Sequence, residues 1–185
     1  MDKRETSLED KENPYKFDKQ KQTSFSELPR SANGYFDLGD CIRAAVKNEY
    51  PLHYELLCKK VAPLYGNEKA TVKIRREVDN ALRSLKGVVR KGDFFYPAIN
   101  AKIIPRAVGN TREIKHISID ELAEAMFIIV SNSYGIMKDH LFKATVQEYG
   151  FARSGEKIQT AMQNAYKVLL NSKRAKEIDG KVVLS

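Results

Sequence analysis

Between Lys69 and Leu85 apolar and basic positions recur with a helical period. Placed at 100° per residue, Ile74, Val78, Ala81, Leu82 and Leu85 fall on one face. Lys69, Lys73, Arg76, Asn80 and Arg83 fall on the opposite face. Gly87 marks the helix end, and Lys91-Gly92 is placed to fold Val88-Val89 back onto Phe94-Phe95-Tyr96. Upstream, 37–48 reads as a helix with Leu38, Ile42, Ala45 and Val46 inward. Pro51-Leu52 leads into a second helix that turns Leu57, Val61 and Leu64 inward and ends at Tyr65-Gly66, its last turn distorted by Pro63. Three helices and a hairpin, with the third helix basic outside, form the pattern of a winged helix-turn-helix unit.

The pattern then returns. Adding 84 to each number from Cys41 to Lys86 gives 12 identities in 46 positions without a gap. Among them are Tyr50/Tyr134, Leu57/Leu141, Tyr65-Gly66/Tyr149-Gly150, Lys73-Ile74/Lys157-Ile158 and Leu85/Leu169. Ser118 and Glu121 are spaced as a capping box before a helix carrying Leu122, Ala125, Met126, Ile129 and Val130 inward. A second helix spans 138–149, and a third turns Ile158, Met162, Ala165, Tyr166 and Leu169 inward. Asp179-Gly180 is a hairpin turn before Val182-Val183-Leu184, with four extra residues ahead of this second wing. The expected fold is mainly α with small β-hairpins (α+β): two tandem winged helix-turn-helix domains from an internal duplication. They occupy 37–98 and 118–185, joined by an extended linker (99–117) that is loose at Gly109-Asn110 and preceded by a polar flexible segment (1–36). Tyr15, Phe17 and Phe25 are its anchors on a neighbouring domain.

Charge sharpens this picture. The net charge is +8, yet the chain up to Arg30 holds seven acidic and seven basic residues. Eight basic and two acidic side chains crowd Lys69 to Lys91, and six basic and one acidic lie between Arg153 and Lys176. Such local excess calls for a polyanion partner. The second stripe is Arg153, Lys157, Thr160, Asn164 and Lys167, with Asn164 matching Asn80. Cations flank phosphates and amides reach base edges when a helix enters a major groove. Arg90, Lys91, Lys173, Arg174 and Lys176 are placed on the wings, where they reach backbone or minor groove.

Catalytic chemistry is not expected. The glycines form no phosphate loop, and the three histidines, His53, His116 and His140, lie apart in sequence without metal-ligand spacing and read as caps or packing residues. Asp179-Gly-Lys181 resembles a nuclease fragment, but the turn accounts for it. No catalytic residue, metal site or cofactor is therefore expected. Cys41 and Cys58 read as core thiols of a reduced, cytoplasmic protein, with no signal peptide or membrane span.

Pro51-Leu52-His53, fifteen residues before Gly66, and Gly150-Phe-Ala-Arg153-Ser-Gly155-Glu-Lys157-Ile158 carry a further pattern. Together with Gly92-Asp-Phe94-Phe-Tyr-Pro97, Ile104-Pro105-Arg106 and Glu121-Leu-Ala-Glu-Ala125, they resemble the bacterial domain of unknown function 3320. That family is a C-terminal module of large superfamily 1 helicase-like ATPases, and the similarity covers Leu38 to Leu184. The first repeat departs from it, with Lys69 and Thr71 where the pattern has Arg and Gly. The resemblance implies an accessory module beside a helicase or ATPase core in the same or another chain. The expected function is non-catalytic binding of duplex DNA; protein docking to an ATPase core and a nuclease remnant are the alternatives.

Overall fold

A computed structural model describes residues 24–108 and 112–185. Tyr15, Phe17 and the Gly109-Asn110 step lie outside the described residues. The chain is α+β, with six α-helices and two three-stranded antiparallel sheets among the described residues. The first half runs α1 (Leu38–Glu49), β1 (Leu52–His53), α2 (Tyr54–Val61), α3 (Val72–Ser84), β2 (Val89–Lys91) and β3 (Phe94–Tyr96). The second runs α4 (Ile119–Ser131), β4 (Ile136–Met137), α5 (Lys138–Tyr149), α6 (Glu156–Asn171), β5 (Ala175–Ile178) and β6 (Lys181–Leu184). Element order and sheet order, β1-β3-β2 and β4-β6-β5, are the same in both.

Local chemistry explains the boundaries. Asp37, His53, Thr71 and Ser118 each accept a backbone N–H in the first turn of α1, α2, α3 and α4, covering donors no helical carbonyl can reach. Gly66 and Gly150 end the second helices with φ of 69° and 81°, a conformation other residues adopt at a cost. Pro63 replaces the last α-turn by a 3-10 turn, Ala62–Tyr65, whereas Gln147 at the matching place lets α5 continue to Tyr149. Each half has its own core. Ile42, Leu52, Leu57, Val61, Ile74, Val78 and Phe95 form the first; Leu122, Met126, Leu141, Tyr149, Met162, Leu169 and Val182 form the second. Cys41 and Cys58 are free and buried, and burial beside Asp37 and Asp40 pushes the Cys41 thiol up to about 11.

Several expectations change. β1 and β4 add a third strand to each hairpin; two residues are too few to show a period. The first hairpin turns on Gly92-Asp93, not Lys91-Gly92, because Lys91 pairs with Phe94. Gly92 takes φ 58° at the first turn position, the type II′ requirement, while Asp179 and Gly180 both have positive φ, as in type I′. Arg90 faces Phe95 and Glu177 faces Val182, so the second wing is displaced by three residues and not four; α6 is longer than α3. The segment before α1 is not wholly a tether: Leu28 is buried, and Phe25 packs on Phe36 with centroids 5.1 Å apart, within its own half. Nor is the connector a mere spacer. Arg106, Val108 and Arg112 are buried in it.

Candidate nucleic-acid interface

Helix α3 buries Ile74 and Val78 against the first core, which leaves the opposite side to solvent. Lys69, Lys73, Arg76, Asn80 and Arg83 are all exposed, with Arg76 standing 4.0 Å from Glu77. Helix α6 buries Met162, Ala165, Tyr166 and Leu169 and exposes Arg153, Lys157, Thr160, Asn164 and Lys167. The N-cap of α6 is Gly155, whose lack of a side chain leaves the first-turn N–H groups without a side-chain acceptor. Helix α3 carries Lys73, Arg76, Asn80 and Arg83 and α6 carries Lys157, Thr160, Asn164 and Lys167, whereas Lys69 and Arg153 lie in the segments ahead of these helices and not on them.

The wings differ from the stripes. Arg90 donates from Nε to the Gly92 carbonyl at 2.8 Å, and its guanidinium lies over the Tyr54 and Phe95 rings, 5.9 and 5.5 Å from the centroids. Lys91 donates to the Ile99 carbonyl at 3.2 Å and sits 4.9 Å from the Tyr96 ring centroid. Arg174 forms a two-pronged ion pair with Glu124 and stacks 3.5 Å from the Phe127 centroid. It therefore fastens the second wing to α4 as well as carrying charge. Lys173 is exposed in the left-handed conformation, φ 58°, and Lys176 is exposed on β5.

Between the halves lies a polar cluster that sequence separation hides. The Glu121 backbone N–H donates to the Ser118 hydroxyl, but its carboxylate does not complete the capping box. Instead it accepts from the Arg106 backbone at 3.1 Å and from both Arg112 terminal nitrogens, at 3.0 and 2.5 Å. Arg106 reaches back to the first half, donating to the carbonyls of Glu49 and Pro51 at 2.6 and 3.3 Å. Burial lowers the Arg106 pKa, opposed by Glu121 and Glu49. Next to it, His116 Nε2 lies 3.0 Å from Glu55, which also takes Lys115 at 2.8 Å. Those two hydrogen bonds, Lys115 first, hold the Glu55 carboxyl down at about 2.

His53 and His116 meet with ring centroids 5.0 Å apart, although 63 positions separate them in the chain. With Glu55 they place one ligand atom each within 4.8 Å, a trio that sequence spacing does not reveal. The hydrogen bonds decide against a cation there. His53 Nδ1 accepts from the Glu55 N–H and His116 Nδ1 from the Glu113 N–H, both at 3.1 Å. Each neutral ring then carries its proton on Nε2 and has no second lone pair to offer. Both act as caps and packing groups, as their residue type suggested, while His140 is exposed.

No helix among the described residues is long and apolar enough to cross a membrane. In comparisons with known proteins, no family model, no curated protein and no solved structure gives a significant match to the chain.

Proposed function

We propose that this chain is a non-catalytic module that binds duplex DNA through two tandem winged helix-turn-helix units. The observation that carries the reading is the pair of exposed basic stripes on α3 and α6, each opposite a buried apolar face. Asn80 and Asn164 stand at the same place in both, among cations spaced to flank phosphates. The element order, with a hairpin wing after a basic third helix, supports the same assignment. Arg106, Arg112 and Glu121 tie the halves together, so both stripes belong to one body. The resemblance of its motifs to domain of unknown function 3320 supports a place beside a helicase or ATPase core, in the same or another chain.

Labelled duplex and single-stranded DNA titrated across a salt series test this reading. Duplex affinity should fall steeply with salt, because each phosphate neutralised releases condensed counterions. Absence of binding at low salt would replace DNA by a protein partner on the same faces.

A further inference from the structure

The two halves share one sheet topology, so their outer sheet faces can be compared position by position. In the first half Leu52 and Phe95 point into the core, which puts His53, Phe94, Lys91, Tyr96 and Val89 on the opposite face. The connector covers that face. His116 lies against His53 with ring centroids 5.0 Å apart, Lys91 donates to the Ile99 carbonyl at 3.2 Å, and His53 and Tyr96 are buried. The outer face of the first sheet is thus where the next unit begins.

In the second half Val182 points into the core. The register then sets Met137, Lys181 and Ile178 in one row of the opposite face, with Val183 and Lys176 in the next. Met137 and Ile178 stand where the first half has His53 and Lys91, yet they are 46% and 47% exposed. Lys176 and Lys181 are exposed beside them. A repeat without a neighbour carries a polar outer face. This one carries an apolar centre between two lysines, as a repeat with a neighbour does.

We propose that this face takes a second copy of the chain, head to tail, and seats the segment ahead of its α1. Within one chain, the connector that covers the first sheet leads into α4 and carries a 3-10 turn, Ile114–His116. The segment ahead of α1 carries the matching turn, Phe25–Glu27. It shows two aromatic rings to solvent, with Tyr35 77% and Phe25 37% exposed, and Phe25 packs on Phe36, the neighbour of Tyr35. Glu27 and Asp37 accept backbone N–H groups from Ser24 and Asp40, and among the described residues neither forms an ion pair. The one cation between Ser24 and Asp37, Arg30, lies over the Phe36 ring. Exposed rings and carboxylates thus meet apolar side chains and ammonium groups. Pairing the sheet face with its own copy would instead set lysine against lysine. A head-to-tail contact has no two-fold axis, so copies add in series or close into a ring. It uses neither helix stripe and stands apart from the DNA-binding reading.

The test follows the full chain by sedimentation velocity, without DNA, over a series of protein concentrations. A contact this small lies at the lower end of specific interfaces, so association should appear in the micromolar range and above. The weight-average sedimentation coefficient should rise with concentration. Tyr35→Ser and Ile178→Ser should each weaken association at least about tenfold, since each removes one large apolar side chain from the contact. Both residues are exposed, so both variants should melt with the wild-type chain. If Ile178→Ser melts lower, Met137→Ser takes its place. An equimolar mixture of the two variants should associate again and stop at a dimer, because the intact sheet of one copy meets the intact segment of the other. A chain that stays monomeric at every concentration overturns the proposal and gives the face to a different protein. Association that survives both single variants overturns it by placing the contact elsewhere. A mixture that fails to pair overturns the head-to-tail geometry.

Discussion

The two halves use the same order of elements to different ends. In the first, Leu82 near the end of α3 and Arg90 of the hairpin line a cleft. In the second, α6 is longer, Tyr166 fills the matching place and donates to Glu177 of the hairpin, and Glu124 pairs with Arg174. The basic stripe is therefore common to both, while the hairpin of the first half stays open and that of the second is fastened down. A repeated fold fixes where a surface lies. The few side chains that differ decide whether that surface is free to bind.

Four variants probe this contrast through stability, in descending order of effect. Arg112→Ala should destabilise the chain by about 3–5 kcal/mol, since it strands the fully buried Glu121 carboxylate without its partner. Thermal melting should show both halves losing stability, because the same cluster carries Arg106 to Glu49. Ile74→Ala and Met162→Ala each open a cavity in one core, at about 2–5 kcal/mol. Hydrogen exchange should report the loss mainly in the half that carries the change. Tyr166→Leu should cost about 2 kcal/mol, through the hydrogen bond to Glu177 that it removes, and give the second half a cleft like the first.

The smallest effect is a pH dependence confined to the inter-half cluster. Burial, with His116 next, lowers the His53 pKa from 6.5, so the unfolded chain takes up this proton first. Stability from this group is complete above pH 6.5 and declines as pH falls below it. Glu55 adds a second step with the same sign: its folded value of about 2 against 4.5 makes its contribution fade between pH 4.5 and 2. His53→Gln should flatten the upper step and leave the lower one. Asp93 and Lys115 also face His53, and neither changes charge near pH 6 at ordinary values. Melting temperatures collected from about pH 8 to about pH 2, a span that covers both steps, check them.

What the chain discloses in its sequence follows from range. Helix faces are legible because Ile74, Val78 and Leu82, or Met162, Ala165 and Leu169, repeat within a few residues. Asp179-Gly180 announces its turn because both positions tolerate positive φ. Strands β1 and β4 are invisible since two residues carry no alternation. The Ser118–Glu121 spacing reads as a local cap, whereas Glu121 pairs with the buried Arg112 and the Arg106 backbone. A buried guanidinium together with a second backbone N–H outcompetes the single Ser118 N–H for a carboxylate, and nothing in a four-residue window reveals that. His53 and His116 meet for a similar reason: a folded connector, not spacing, joins them. The differing cleft is within reach of the sequence. Leu82 against Tyr166 is visible at the 84-residue offset once both are known to face the hairpin.

The central claim is that the exposed stripes bind duplex phosphates. It is tested most directly by the salt slope of duplex affinity for the wild-type chain and for Arg76→Glu with Arg83→Glu. Both side chains are exposed on α3 opposite its buried face, so the double variant should melt within ~0.5 kcal/mol of wild type. Its affinity should drop many-fold, and the slope of log affinity against log salt should shrink by about two, one for each phosphate no longer neutralised. An unchanged slope and affinity in a normally melting variant would contradict the assignment of α3 to DNA.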